Sequence, residues 1–525
     1  MPRGTRSAAQ PVTTAQRLGS LLKSARDIMR KDKGLSGDAD RLPQLTWVMF
    51  LKFLDDMERL REAEAELADL PFVPAIEAPY RWRDWAAAPD GITGDDLLAF
   101  VNQDKARLPD GSEGPGLFAA LRALQGDGGG DRRDVISRVF SGISNRMISG
   151  YLLREVINKV GGIHFDSTDE MHTLGTFYES MLREMRDAAG DSGEFYTPRP
   201  VVRFMVEVTD PRLGETVLDP ACGTGGFLVE AFNHLQAQCV TVEDRETLQR
   251  SSVLGGEAKP LPYLLSQMNL LLHGCENPRI GDGNSLAVKL SELGERDQVD
   301  IVLTNPPFGG EEEAGIVTGF PEDKRTRETA LLFLQLIMRK LRRTPRPGRA
   351  AVVVPNGLLF GDGVCARVKE ELLREFDLHT IVRLPNGVFA PYTSIPTNLL
   401  FFRRGGPTRE VWYYEQPLPE GRKQYTKTQP VQYAEFEGCL EWWRNRTETE
   451  RAWLVPADQI RENSYNLDIK NPHAATEAET LSPMEIVESI IEKEHRILAL
   501  MEEIKALVAA GPEGMDLPET EGAAQ

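Results

Sequence analysis

The feature that most constrains the fold is an apolar segment that ends in a rigid polar loop. Residues 300–304 (Asp-Ile-Val-Leu-Thr) have the pattern of a buried strand, and Asn305-Pro306-Pro307-Phe308 follow at once. Two consecutive prolines fix the backbone and remove two N–H donors, so the carbonyl groups there stay free to accept. In α/β folds, ligands bind outside the carboxyl ends of the strands. An amide, free acceptors and an aromatic ring suit a flat heterocycle with an exocyclic amine, whereas the plainer interpretation is a rigid exit from a strand.

A second strand–loop–helix pattern lies upstream. Val217–Asp219 is the predicted strand, a glycine-rich loop follows, and the predicted helix runs from Phe227 to about Leu235. Glycines let the backbone turn tightly and approach a ligand closely. The layout is shared with dinucleotide-binding loops, but the three glycines after Ala221 are spaced wrongly for Gly-x-Gly-x-x-Gly. Asp219 ends the strand, where a carboxylate can meet a cationic or hydroxyl-bearing group.

Together the two motifs resemble those of the DNA amino-methyltransferases that use S-adenosylmethionine. Residues 219–227 are similar to the cofactor loop of that family, and residues 305–308 to its catalytic motif. A third segment, residues 193–199, resembles the cofactor-contacting segment in the modification (M) subunits of type I restriction-modification systems. The order of the three segments is that of the gamma group of adenine-N6 methyltransferases. The resemblance covers roughly residues 15–470 and implies site-specific N6-adenine methylation of DNA, with S-adenosyl-L-methionine as cofactor, by the M subunit of a type I complex.

The resemblance also implies roles for individual residues. The side-chain oxygen of Asn305 and the carbonyl of Pro306 would accept from the adenine amine, which frees the lone pair of a weakly nucleophilic nitrogen. Phe308 would stack on a base flipped out of the duplex, and its alternative role is to line the core. The predicted catalytic residues are Asn305, Pro306, Pro307 and Phe308. The predicted cofactor-binding residues are Glu194, Phe195, Tyr196, Thr197, Pro198, Arg199, Asp219, Thr224, Gly225, Gly226, Glu257 and Asp282.

Two acids in that set are assigned to the adenosine part of the cofactor. Glu257 would accept from both ribose hydroxyls, and Asp282 from the adenine amine; the alternatives are a solvated acid at a helix start and an Asx turn. Cys222 lies inside the loop but lacks the Pro-Cys context of cytosine-C5 methyltransferases, and is interpreted as a small filler. Cysteines and histidines show no metal-ligand spacing, so no metal site is predicted.

The charge balance indicates that other subunits hold the DNA. The chain has a net charge of −19, whereas phosphate neutralisation favours basic DNA-binding proteins. Residues 474–525 contribute −9 of this charge, and a basic run lies at residues 339–349. That run is either a solvated helix end or a DNA contact. The expected partners are double-stranded DNA, a specificity (S) subunit, a second M copy and an endonuclease/translocase (R) subunit. No membrane span is expected, and the expected location is the cytoplasm near the nucleoid.

The predicted architecture is α/β. A doubly wound, Rossmann-like S-adenosylmethionine-dependent methyltransferase domain at 161–470 follows an all-α N-terminal domain at 16–160. Residues 1–15 are predicted to be disordered. The segment 471–525 is an acidic tail with a coiled-coil-like helix at 481–509, whose apolar stripe packs on its own domain or on a partner.

Further patterns locate individual elements and leave alternatives open. Residues 239–242 are predicted to lie in or near a strand, and residues 171–189 to form a helix. A self-contained methyltransferase of another defence system and a non-catalytic subunit are weaker interpretations. Cytosine-N4 methylation uses the same chemistry, but Asn305 favours adenine.

Overall fold

The computed structural model describes residues 14–126, 131–163, 197–390 and 393–473, and single positions of the C-terminal segment. By its internal contacts the chain divides into two units, Met1–Lys470 and Asn471–Gln525. In the second unit the described positions Met484, Ile491, Glu494, His495, Ile497, Leu498, Met501, Glu502 and Lys505 are helical and exposed. The predicted helices at 171–189 and 481–509 lie largely outside the described residues.

The N-terminal part of the first unit is helical. Its elements are α1 (Thr14–Met29), α2 (Asp38–Leu67), α3 (Trp82–Trp85), α4 (Gly94–Asn102), β1 (Ala106–Arg107), β2 (Glu113–Gly114), α5 (Leu117–Arg122), α6 (Arg132–Ser141) and α7 (Gly150–Gly161). Helix α2 places Trp47, Phe50 and Phe53 in the core, all with no exposed surface. Burial of this kind, rather than helix propensity, supplies most of a helix's stability in a folded protein.

The remainder of the first unit is a sheet with helices on both faces. Its helices are α8 (Arg199–Thr209), α9 (Gly226–Gln236), α10 (Val242–Ser251), α11 (Pro260–Leu272), α12 (Ala314–Val317), α13 (Thr329–Lys340), α14 (Asn356–Phe360), α15 (Val364–Glu375), α16 (Glu437–Arg444) and α17 (Ala457–Glu462). Its strands are β3 (Val217–Asp219), β4 (Val253–Glu257), β5 (Arg279–Asp282), β6 (Ile301–Thr304), β7 (Arg349–Pro355), β8 (Phe376–Arg383), β9 (Thr397–Arg404), β10 (Glu410–Glu415) and β11 (Ala452–Pro456).

The strand order is β11-β10-β8-β9-β7-β6-β3-β4-β5. One half of the sheet is parallel and consists of strands β7, β6, β3, β4 and β5. Strand β9 runs antiparallel between β7 and β8, and β11 runs antiparallel beside β10. The chain leaves β3 towards β4 and β5 and then returns to β6 on the other side of β3. The sheet therefore has a topological switch point between β3 and β6, where α/β folds bind ligands.

Side chains of the central strands alternate between two cores. Ile301 and Leu303 of β6 point into one core, and Val302 points into the other. The N-terminal helices share the first core, so the helical part packs on that face of the sheet. Helix α11 makes this contact with α2 and α6. Beyond its end, the Glu276 carboxylate lies 2.8 Å from the Arg61 guanidinium and 3.6 Å from that of Arg132.

One predicted strand is wrong. Residues 239–242 do not form a strand, because Thr241 is the N-cap of α10. Its hydroxyl accepts from the backbone of Asp244, and the Asp244 carboxylate accepts from the backbone of Thr241, which makes a capping box. The β-branched residues in this segment therefore lie at the start of a helix and not in a strand. Of the helices in the described part of the chain, none combines the length and the apolar character needed to cross a membrane.

Candidate active site

The two sequence motifs meet at the carboxyl ends of β3 and β6. The strands are neighbours, with Leu218 paired to Val302. The hydroxyl of Thr304, the last residue of β6, donates to Oδ1 of Asp219 at 2.6 Å. The loop that holds Asn305 therefore starts beside the glycine loop, and the two strand ends are tied together by a buried hydrogen bond.

Asp219 is a buried acid at this junction, with 1% of its surface exposed. Burial raises its pKa to about 7, and the nearby Glu257 adds to the rise, against hydrogen bonds from Thr304 and from the backbone of Ala221. Both of these hydrogen bonds reach the same oxygen, Oδ1. Because a cation placed beside it would favour ionisation, the group is suited to an ammonium ligand.

The glycine loop is held against β4 by a carboxylate. Glu257 Oε2 accepts from the backbone N–H of Gly223 at 3.0 Å, and Oε1 accepts from the N–H of Lys259 at 2.8 Å. Burial raises the pKa of Glu257, against those same backbone bonds. Gly223 and Gly225 have φ of 54° and 80°, a region that L side chains rarely occupy. Each oxygen of Glu257 keeps acceptor capacity, so the clamp on the loop is compatible with the predicted ribose contact.

Residues that the sequence did not single out support the same loop. The side-chain amide of Asn269, on α11, donates to the carbonyl of Thr224 at 2.9 Å. Ser266, one turn earlier, lies so close that a Cβ on Gly225 would be 3.3 Å from its own Cβ. Arg199, which the sequence did predict as a cofactor-binding residue, donates from its guanidinium to the carbonyl of Gly226 at 2.6 Å. The polar residues of an otherwise apolar helix were the available signal for this role of α11.

Asn305 presents one amide atom to the site and anchors the other. Its Nδ2 donates to the hydroxyl of Thr197 at 3.0 Å. Its Oδ1 is buried and accepts no hydrogen bond from any residue that the structure describes. Leaving a buried acceptor unsatisfied costs about 1–3 kcal/mol. An unpaired acceptor held in a fixed direction at a strand end is a feature of a ligand site rather than of a core.

The rest of the catalytic motif surrounds this acceptor. Pro306 is buried, and within the described ranges no residue donates to its carbonyl. Pro307 lines a cavity together with residues of the glycine loop. Phe308 is half-buried and packs against the larger core cluster. The stacking role of Phe308 therefore stays a prediction.

Two cavities adjoin at Ala221 and Gly223. A narrow one of about 20 Å³ is lined by Thr197, Arg199, Asp219, Ala221, Cys222, Gly223, Thr224, Gly226, Phe227 and Asn305. A wider one of about 330 Å³ includes Glu257, Lys259, Gly283, Ser285 and Pro307. The first has room for little more than one water molecule, so its walls must separate for a larger ligand to reach Asn305.

The two cavities contain most of the predicted site residues that the structure describes. Asp282 pairs with Glu257 in the sheet register but is exposed and lines neither cavity; its neighbour Gly283 lines the wider one. Burial also raises the pKa of the Cys222 thiol, which agrees with a filler role and opposes a nucleophile. The predicted Glu194, Phe195 and Tyr196 lie outside the described residues.

Comparison with known proteins identifies the family. Residues 169–480 match the model of the N-6 DNA methylase family, and residues 18–160 match the HsdM N-terminal domain. The methylase subunit of the type I restriction enzyme EcoEI from Escherichia coli is 48% identical over 95% of this chain and 99% of its own length. This chain is a type I methylase subunit of the N-6 DNA methylase family.

Solved structures from type I restriction-modification systems agree with this assignment. A modification subunit of a type I restriction enzyme from Vibrio vulnificus YJ016 is 67% identical, with a TM-score of 0.83 over 89% of this chain and 99% of that one. A chain from a type I restriction-modification complex is 41% identical, with a TM-score of 0.75 over 95% of this chain and 100% of that one. The predicted α/β fold with a helical N-terminal part is confirmed.

Proposed function

We propose that this methylase subunit transfers a methyl group from S-adenosylmethionine to N6 of adenine in DNA. The observation that carries the proposal is the amide of Asn305. Its nitrogen is fixed by Thr197, and its oxygen is buried and unpaired among the described residues. An adenine amine has two N–H donors and fits an acceptor of this kind. Residues 219–226 and Glu257 supply a cofactor cleft directly beside it.

The residues act on the amine by accepting its protons. When bound, S-adenosylmethionine supplies an electrophilic methyl group on a sulfonium sulfur. The Asn305 oxygen and the Pro306 carbonyl accept from the two N–H groups of the base, so that its nitrogen becomes more tetrahedral and its lone pair turns towards the methyl. Preorganised dipoles in a dry site are effective in this role. The nitrogen gains the methyl as the carbon–sulfur bond breaks and leaves its electron pair on the sulfur, and the nitrogen then loses one proton to solvent. The rigid diproline loop keeps the acceptors in place.

The cleft fits the cofactor by its chemistry. Asp219 is a buried carboxyl, and an α-ammonium group beside it would favour its ionised form. The loop glycines allow close approach of a ligand to the backbone, and Glu257 can add ribose hydroxyls to the two backbone N–H groups it already holds. Asp282, at the end of the neighbouring strand, is exposed, and its side chain would have to turn away from solvent to reach the adenine amine of the cofactor. These assignments are proposals that rest on the position of each group along one sheet edge.

The subunit is proposed to work in a complex. A net charge of −19 opposes a strong grip on DNA by this chain alone. We therefore assign target choice to a specificity subunit, with a second methylase subunit and an endonuclease subunit as further partners. The two-part division, helical at residues 16–160 and catalytic at 161–470, is retained as a proposal. DNA as substrate places the activity in the cytoplasm.

The proposal is tested by Asn305→Ala in the subunit assembled with its specificity partner and target DNA. Methyl transfer is expected to fall by about 10²–10³-fold, the usual effect of removing a preorganised polar group. Cofactor affinity, measured by calorimetry, is expected to stay nearly unchanged. Thr197→Val is the graded control: it keeps the Asn305 oxygen but frees the amide to rotate, so an intermediate loss is expected. A fully active Asn305→Ala enzyme would refute the role of this residue.

A further inference from the structure

A separate cleft lies at the amino-terminal edge of the sheet, on the opposite side from the active site. It has a volume of about 410 Å³. Phe376, the first residue of β8, and Arg404, the last residue of the antiparallel β9, are paired in the sheet and both line it. The cleft shares no lining residue with the two cavities around the glycine loop. Its size falls within the range of small-molecule sites.

The lining is unusually basic for so acidic a chain. Arg339, Arg343 and Arg404 all face the cleft. Arg404 is 9% exposed and rigid, because it donates to the carbonyls of Leu341 and Met338. Its guanidinium also lies over the ring of Phe376, 4.6 Å from the centroid. Arg343 is exposed, and its guanidinium has no hydrogen bond to a described residue.

The acids of the cleft do not cancel this charge. Glu371 also lines it but is paired with Lys324 at 2.7 Å. Glu375 pairs with both Arg374 and Arg404 at 3.5 Å, so its single negative charge is shared between two guanidinium groups. Burial lowers the pKa of Arg404, and repulsion from Arg343 lowers it further, against the attraction of Glu375. An anion held between Arg343 and Arg404 would relieve that repulsion.

A buried amide gives the cleft a second recognition element. Gln335, on α13, is 4% exposed and lines the cleft. Its Nε2 donates to the carbonyls of Lys324 and Leu331. Its Oε1 is buried and has no hydrogen-bond partner among the residues that the structure describes. The cost of an unsatisfied buried acceptor, about 1–3 kcal/mol, is removed if a ligand donates to it.

We propose that this cleft binds a nucleoside phosphate. Arg343 and Arg404 would take the phosphates, Gln335 Oε1 would accept from a hydroxyl or amine of the nucleoside, and the apolar walls at Leu290 and Met338 would cover its flat part. A free phosphate would leave the cleft largely empty and the Gln335 oxygen unpaired. Because the cleft and the catalytic edge share no residue, the proposal is independent of the methyl-transfer assignment.

The test is equilibrium binding of ATP to the full-length subunit in the presence of saturating S-adenosylhomocysteine, which occupies the cofactor cleft. Saturable binding is expected. Arg343→Ala should weaken it by about tenfold, the loss of one charge-assisted contact. Arg346→Ala is the matched control, since it removes an equal exposed charge on the same loop but does not line the cleft. Gln335→Leu should weaken ATP and leave orthophosphate binding unchanged.

Three outcomes would overturn the proposal. They are the absence of saturable binding in the presence of S-adenosylhomocysteine, equal losses in Arg343→Ala and Arg346→Ala, and displacement by a short DNA duplex that depends on Arg343. The last result would assign the cleft to the DNA backbone. Circular dichroism of each variant checks that it is folded, and methyl transfer by Arg343→Ala is expected to match the wild type.

Discussion

At the scale of single residues, two neighbouring polar groups have opposite electrostatic situations. Asp219 is buried with a carboxyl whose pKa lies at about 7. Asn305 cannot ionise, and its oxygen, which has no partner among the described residues, provides a partial charge instead. A site that accepts hydrogen bonds from the amine of a base needs a neutral acceptor such as the Asn305 amide. A carboxylate there would bind the base as strongly before the reaction as in the transition state, which does not accelerate methyl transfer. A buried carboxyl such as that of Asp219 suits a permanently charged ligand group.

The raised pKa of Asp219 predicts a pH dependence of cofactor affinity. Below about pH 7 the free protein holds this carboxyl protonated, and an α-ammonium group favours its ionised form. Binding must therefore release a proton, so affinity should rise from about pH 5 to about pH 7 and level off above. Calorimetry across this range is the measurement.

Asp219→Asn supplies the control for that pH dependence. The variant should bind more weakly at neutral pH and show a flat profile, since the amide does not titrate. Identical slopes for the wild type and the variant would assign the titration to another group.

At the scale of elements, the glycine loop and helix α9 act as one unit. Gly225 is the N-cap of α9, with φ of 80°. Gly225→Asp would strain this backbone position by about 1–2 kcal/mol. It would also bring a third carboxylate towards Asp219 and Glu257. We expect cofactor binding to be lost, as measured by calorimetry, while the protein remains folded.

A second substitution distinguishes charge from shape at this position. Gly225→Ala shares the backbone strain but adds no charge, and its Cβ would meet Ser266 at 3.3 Å. It should retain weak cofactor binding. If Gly225→Asp binds the cofactor as the wild type does, the loop is not the cofactor site.

Elements with strong local patterns were predictable, and those set by tertiary packing were not. The strands β3 and β6 and the helix α9 follow from local sequence patterns and lie within one residue of their predicted bounds. Strand β4 was missed, because it contains Gly255 and Gly256, which have low strand propensity. The structure explains them: a Cβ on Gly255 would lie 2.6 Å from Ile280, and one on Gly256 would lie 2.2 Å from the Ser285 hydroxyl.

The same distinction holds for the candidate site. The motif residues Asp219 and Asn305 could be chosen from sequence because Asp219 ends one predicted strand and Asn305 directly follows another. Thr304 and Asn269 could not, since their roles depend on which strand and which helix lie beside the loop. The sequence also could not show which arginines of the basic run at residues 339–349 have partners within the chain. In the structure Arg342 pairs with Asp300, and Arg349 pairs with Glu215.

At the scale of the whole molecule, net charge governs how the subunit meets its substrate. We expect the purified chain alone to bind duplex DNA with a Kd in the range of about 1–100 μM at physiological salt, typical of non-specific contacts. Fluorescence anisotropy with target and scrambled duplexes is the measurement, and both should bind equally. Addition of the specificity subunit should tighten only the target. Tight, sequence-specific binding by the isolated chain would contradict the division of labour.

The hydrogen bond between Thr197 and Asn305 has a consequence for which bases can enter. In the orientation that the structure shows, the amide nitrogen donates to the threonine hydroxyl, so the atom that faces the site is the oxygen, an acceptor. A thymine or guanine would present its own carbonyl oxygen there, and two lone pairs would repel each other. An amide in this orientation makes the pocket a filter for amino bases over keto bases, before any methyl group is in place.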